Sequence, residues 1–257
     1  MKKFTEILLG KRFNYFFLFL ILLLFSCAKR DLPPGGAADI THPKVVETFP
    51  VDGSTKVDLT SEIKITFSEK MQKKFTQEAV LLFPPETLQY KWQKNGLILK
   101  PKKPLKSNRT YFITVGIKAL DIHNVRLANS FSFAFSSGDF LDKGSISGKV
   151  YLNGRPESGV SIWAYLLSEK NLSIPAEVKP DYVVQTELGG NYFFKYLSKG
   201  TYRFLAVKDL NLDLSWDATK EPLGISYSDV KIEEGNWQVS NLNFQLSVRD
   251  TSKFVLK

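Results

Sequence analysis

Apolar and polar residues alternate along most of the chain after its first forty positions. Glu62-Ile63-Lys64-Ile65-Thr66-Phe67 places Ile63, Ile65 and Phe67 on one face, and Phe131, Phe133 and Phe135 repeat the arrangement. Period-two spacing of this kind predicts half-buried strands. Further strands are expected over 44–50, 96–100, 109–117 and 130–136, with a turn at Asp52-Gly53. A second strand set starts at 144–150 and continues through 159–164, 189–194 and 200–204 to a closing strand at 242–246. Helical spacing is scarce, and residues 70–82 alone could hold a turn of helix. Many short strands between regular turn signals predict an all-β chain of two tandem antiparallel β-sandwiches.

The opening of the chain has a different pattern. Met1-Lys2-Lys3 and Lys11-Arg12 precede an apolar run over 13–25, and Leu24-Phe25-Ser26-Cys27 follows. The run falls short of the ~20 apolar residues of a membrane-spanning helix. A basic start, a short apolar stretch and a small residue before the cut make a secretory signal peptide over 1–26. With cysteine at the cut, this segment resembles a bacterial lipoprotein signal. The resemblance implies that Cys27 is lipidated and becomes the new N-terminus, tethering the chain to a membrane. Ala28 stands where Asp favours inner-membrane retention in Gram-negative lipoproteins, which implies the outer membrane. Cys27 is also the single cysteine, so a lipidated chain has no disulfide and depends on apolar cores. Residues 27–42, with Pro33-Pro34-Gly35-Gly36, read as a lipidated flexible spacer.

Residues 43–139 carry four local patterns. These are Pro43-Lys44-Val45-Val46 to Pro50-Val51-Asp52-Gly53; Ile63-Lys64-Ile65-Thr66-Phe67-Ser68-Glu69-Lys70-Met71; Leu99-Lys100-Pro101 to Pro104-Leu105 with Thr110-Tyr111; and Asp121 to Asn124 with Phe131 to Phe135. In order and spacing they resemble the bacterial Ig-like domain of surface-layer and envelope proteins. Leu141-Asp142-Lys143 forms a short junction. Residues 144–248 contain Gly148-Lys149-Val150, Gly159-Val160-Ser161-Ile162-Trp163-Ala164, Gly190-Asn191-Tyr192-Phe193-Phe194 and Gly200-Thr201-Tyr202-Arg203-Phe204. These resemble the transthyretin-like, carboxypeptidase regulatory-like domain. Both resemblances imply sandwiches, and a sandwich hosts many functions. Residues 249–257 are left as a C-terminal tail.

Composition changes this picture little. The net charge is +9, or +6 once the signal's net +3 is removed. No Lys/Arg block or nucleic-acid motif accompanies it, so dispersed surface charge explains it and no nucleic-acid partner is expected. No H-E-x-x-H, G-x-S-x-G or phosphate-binding glycine loop occurs. His123, in Asp121-Ile122-His123-Asn124, reads as a turn residue.

Two segments carry candidate chemistry. Asp209, Asn211 and Asp213 offer oxygens at alternate positions, with Asp217 and Glu221 downstream. That start resembles a calcium loop, which gathers six to eight hard oxygens around Ca²⁺. Leu214 stands at the turn-glycine position and Lys220 at position twelve, so a polar connection stabilised by Asx turns is the competing reading. In the second segment, if Val160, Ile162 and Ala164 face the core, Trp163 and Tyr165 face the other way. They would then form an exposed stacking surface, or pack under a loop, the C-terminal segment or the first domain. The expected function is that of a non-enzymatic cell-envelope lipoprotein presenting two sandwiches to a protein partner. The alternatives are a carbohydrate-binding module using Trp163 and Tyr165 and, more remotely, a hydrolase with paired carboxylates. No cofactor is expected beyond the Ca²⁺ candidate.

Overall fold

The computed structural model describes residues 36, 38–167 and 178–248. The signal peptide, Cys27 and the C-terminal tail lie outside the described residues. Met1–Asp39 forms one unit, and Ile40–Lys257 forms a second that holds every strand discussed below.

The first sandwich pairs a four-stranded and a three-stranded sheet. The four-stranded sheet orders β1 (Val45–Phe49), β2 (Ile63–Phe67), β5 (Gly96–Pro101) and β4 (Leu88–Gln93) as β1-β2-β5-β4. The three-stranded sheet orders β3 (Val80–Phe83), β6 (Thr110–Val115) and β7 (Phe131–Ser136) as β3-β6-β7, and all ladders of both sheets are antiparallel. Ile63, Ile65 and Phe67 point inward against Leu97, Leu99, Tyr111, Ile113, Phe133 and Phe135, as the alternation requires. Helix α1 (Lys73–Glu78) occupies the stretch expected to hold a helical turn. That stretch also contains β3, whose Val80-Leu81-Leu82-Phe83 is apolar throughout and shows no period. β4 escaped the sequence reading because its side chains are mostly exposed and polar.

The second sandwich is built on the long strand β8 (Gly144–Leu152) and on β13 (Gly200–Val207). β13 carries β10 (Ser161–Leu166), β14 (Leu223–Ile225) and β15 (Val230–Ile232), while β11 (Tyr182–Gln185) extends the sheet beyond β10. β8 carries β9 (Arg155–Pro156), β12 (Asn191–Leu197), β16 (Gln238–Val239) and β17 (Phe244–Leu246). One feature departs from the expected antiparallel sandwich: β16 and β17 both run parallel to β8. The crossing between them passes directly over Gly148, where an added Cβ would collide with the Leu242 carbonyl oxygen. Only glycine tolerates so close a backbone approach.

The two sandwiches share apolar packing. Phe112 and Ala134 of the first join the core formed by Ile146, Ile162, Phe194 and Phe204 of the second. Tyr182 packs on Phe83 and Phe112, with ring centroids 4.4 and 5.4 Å away. Thr114 Oγ1 donates to the Val183 carbonyl at 2.8 Å. Burial against both neighbours pushes the Tyr182 hydroxyl pKa up to about 12.

Candidate functional site

Trp163 and Tyr165 lie on the face of β10 opposite Ile162 and Ala164, as alternation demands. That face is not solvent, however. Trp163 is 0% and Tyr165 1% exposed. Both pack with Val183, Leu205 and Val207 from neighbouring strands, beneath Leu81 of the first sandwich and Leu214 and Trp216 of the 209–221 loop. Of the two readings open for these residues, the exposed stacking surface is therefore corrected, and packing under a loop and the first domain is what the structure has. The reason is simple: β10 is central in its sheet, and the far face is roofed by a neighbouring domain and a long loop. Desolvation raises the Tyr165 hydroxyl pKa. The Trp163 indole N–H is buried without a hydrogen-bond partner among the described residues.

The roof is the segment expected to hold Ca²⁺. Asp209 and Glu221 are buried, at 6% and 2% exposure. Asp209 accepts the Leu212 N–H on Oδ1 at 2.6 Å and the Leu214 N–H on Oδ2 at 3.0 Å. Glu221 accepts the Leu210 N–H on Oε1 and the Asp217 N–H on Oε2, each at 2.9 Å. Asn211 Oδ1 accepts the Asp213 N–H, Asp213 Oδ1 the Ser215 N–H, and Asp217 Oδ1 the Thr219 N–H. These are Asx turns, in which a short polar side chain caps the backbone two residues on. Leu212 and Leu214 adopt left-handed backbone, with φ of 58° and 59°. Leu214 thus takes the conformation that a turn glycine supplies in calcium loops, and the Asp209 carboxylate holds both strained leucines in place. The five predicted ligands share one loop; the oxygens of Asp209 and Glu221 all accept its backbone N–H groups, while Asp213 Oδ2 accepts the Asn211 side-chain amide at 3.0 Å and Asp217 Oδ2 pairs with Lys220 Nζ at 3.2 Å.

The charges reflect this. Burial raises the Asp209 carboxyl pKa, against the lowering effect of the Leu214 and Leu212 N–H groups. Asp217 is held down to about 2 by the Thr219 hydroxyl and N–H and by Lys220.

A cleft of about 370 Å³ opens where the two sandwiches meet, lined by Asp52, Ser132, Gln185, Glu187, Asn191 and Tyr196 among others. Its walls come from both sandwiches, so its shape depends on their packing. Sequence reasoning missed it because residues far apart in the chain form it.

The strand order, the core of Ile63, Ile65 and Phe67, and the closing strand β7 set the first sandwich beside known domains. Residues 39–137 match the bacterial Ig-like domain. This Ig-like domain takes in β1 through β7 and ends just before the junction to β8. No curated protein matches the chain. Among solved structures, the methionine-rich copper resistance protein PcoC from Escherichia coli is similar at 17% identity and a TM-score of 0.30, covering 37% of this chain and 97% of its own. An L,D-transpeptidase from Mycobacterium smegmatis is similar at 10% identity and a TM-score of 0.30, covering 80% of this chain and 90% of its own. The Bacillus cereus major pilin subunit BcpA, in its D312A form, is similar at 8% identity and a TM-score of 0.28, covering 80% and 70%. The Ig-like domain match is the finding that bears on the fold.

Proposed function

We propose that this chain is a non-enzymatic cell-envelope lipoprotein that presents two joined β-sandwiches to a protein partner. The observation that carries the reading is the seam under Trp163 and Tyr165. It joins the Ig-like domain to the second sandwich through Leu81, so the pair is presented as one body with a fixed cleft. Pre-organised surfaces of this kind lose little conformational freedom on binding. The second sandwich is assigned to the transthyretin-like class on its four glycine-led strand patterns. The Leu24-Phe25-Ser26-Cys27 sequence supports lipidation at Cys27 and outer-membrane anchoring, and a multiply acylated anchor would be stable where a single chain is marginal. Among the described residues no helix is long and apolar enough to cross a membrane.

The test is fractionation of cells expressing the chain, with palmitate labelling, against Cys27→Ser. Label and membrane association in the wild type, both lost in Cys27→Ser, are expected. A wild type that carries no label, or a variant that fractionates identically, would sink the lipoprotein reading. Protease added to intact cells then assigns the face. Cleavage places the partner outside the cell, and protection places it in the periplasm.

A further inference from the structure

A second acidic group lies in the Ig-like domain, away from the 209–221 loop. Glu69 follows β2, while Asp121 and His123 sit in the connection between β6 and β7. The two connections are clamped together by backbone. The Ile122 N–H donates to the Lys70 carbonyl at 3.1 Å, and the Gln72 N–H to the Leu120 carbonyl at 2.8 Å. The Gln72 side-chain amide also donates to Asn124 Oδ1 at 2.7 Å. These bonds bring one oxygen of Glu69, one of Asp121 and one ring nitrogen of His123 within 4.8 Å of one another.

Asp121 is fully buried, and its two oxygens are used differently. Oδ1 accepts the His123 and Val125 N–H groups, both at 2.8 Å, which shapes the turn. Oδ2 is buried and has no hydrogen-bond partner among the described residues. It faces His123, whose Nδ1 lies 3.9 Å away. A buried carboxylate oxygen with no donor is a rarity that calls for an ion or a water, and a second carboxylate beside it sharpens the demand for positive charge. The imidazole decides which ion. Ca²⁺ gathers six to eight hard oxygens, whereas Zn²⁺ accepts imidazole nitrogen and carboxylate oxygen together in sets of three or four.

We propose that Glu69, Asp121 and His123 form a three-ligand site for a divalent transition-metal ion of the Zn²⁺ type. Water, or a donor group brought by a partner, completes the coordination. Zn²⁺ bonds of about 2.0–2.1 Å put neighbouring ligand atoms roughly 3.3 Å apart in a tetrahedron. The present spread of up to 4.8 Å closes by rotation of the outer ligands. The His123 side chain is 53% exposed and Glu69 is half-buried, so both can exchange their present contacts for an ion by turning about their side-chain bonds. Asp121 stays fixed by its two N–H bonds and serves as the anchor.

Titration calorimetry on the full chain in detergent near neutral pH tests this, with ZnCl₂ as the probe and CaCl₂ as the comparison. One Zn²⁺ per chain is expected, undisturbed by Ca²⁺. Asp121→Asn keeps an Oδ1 for the turn and should weaken Zn²⁺ by at least the roughly 10–100-fold that even outer-shell changes cost. His123→Gln changes a side chain that is 53% exposed and should show a comparable loss. A wild type that binds no Zn²⁺ overturns the proposal. So does Zn²⁺ binding that survives both substitutions, or Ca²⁺ binding in its place.

Discussion

Two loops of this chain each bury an aspartate, and they use it in opposite ways. In the 209–221 loop, Asp209 and Glu221 spend all four carboxylate oxygens on backbone N–H groups. In the 121–125 turn, Asp121 spends one oxygen on two N–H groups and leaves the other buried and unmatched. The first loop has the sequence of a cation site and the wiring of a self-satisfied cap. The second has the sequence of an ordinary turn and the one oxygen still in need of positive charge. Oxygen-bearing residues at alternate positions therefore do not by themselves distinguish a ligand set from a run of Asx turns. What distinguishes them is where the lone pairs go, and that is a three-dimensional property.

The comparison breaks most severely if the 209–221 loop is not a fitted roof. Trp163 lies beneath it at 0% exposure, between Leu214 and Trp216 above and Val183 and Leu205 beside it. Trp163→Ala should destabilise the chain by about 3–5 kcal/mol, the usual cost of emptying a large aromatic site. Trp163→Phe should cost clearly less, because it also removes an indole N–H that has no partner among the described residues. Urea midpoints measure both. Equal, small effects would mean that the seam is loose and the loop is not a roof.

Next in size are the carboxylates that hold the roof. Asp209→Ala strands the Leu212 and Leu214 N–H groups, and Glu221→Ala those of Leu210 and Asp217. Each substitution should cost about 1–3 kcal/mol, the range for leaving a buried polar group unmatched. The Trp216 indole donates to the Glu221 carbonyl at 2.9 Å, so its fluorescence reports on the same loop. Added Ca²⁺ should leave that emission unchanged. A saturable change would show that the ion competes successfully with the N–H groups, and the contrast between the loops would fall.

Acid titration gives a smaller effect with opposite signs inside one loop. The folded pKa of Asp217 is depressed to about 2, below its ordinary 3.8. Its stabilising contribution is therefore complete above 3.8 and is lost as pH falls toward 2. The folded pKa of Asp209 is raised by burial, so its protonation favours the folded state as pH falls through that value. Asp217→Asn should flatten the acid loss of stability between pH about 4 and 2, weakly and less at high salt, since the group faces solvent. An unchanged acid limb in urea midpoints would show that Asp217 is not held by Thr219 and Lys220.

Much of the fold could be read from the alternation of side chains. Ile63, Ile65 and Phe67 face one core, and the opposite facing of Ile162 and Ala164 against Trp163 and Tyr165 follows from period two. What period two cannot state is what covers the far face. Trp163 has the same alternation whether water or Leu81 lies above it, so alternation alone leaves both exposure and burial open. The parallel pairing of β16 and β17 with β8 was hidden for a related reason, since two- and three-residue strands carry too little pattern to show direction. The Glu69–Asp121–His123 group was out of reach because its members come from two connections some fifty residues apart. The signal that existed locally, Asp121 two residues before His123, looked like any turn.

The smallest expected stability change is the sharpest test of the contrast. Asp121→Asn keeps an acceptor for the His123 and Val125 N–H groups and replaces the unmatched oxygen by an NH₂ that can donate toward Glu69. It also removes one of two neighbouring buried or half-buried negative charges. Without added metal, the variant should be within about 0.5 kcal/mol of the wild type, as for substitutions that disturb no satisfied group. Asp209→Asn swaps the same atoms where both oxygens are in use, and its NH₂ must face an N–H. It should cost about 1–3 kcal/mol for the lost acceptor. A large loss in Asp121→Asn would mean that Oδ2 supports the fold itself and is not held in reserve for an ion. Near-neutrality at Asp121 alongside a clear loss at Asp209 would show that two buried aspartates in one chain are distinguished by a single unspent oxygen.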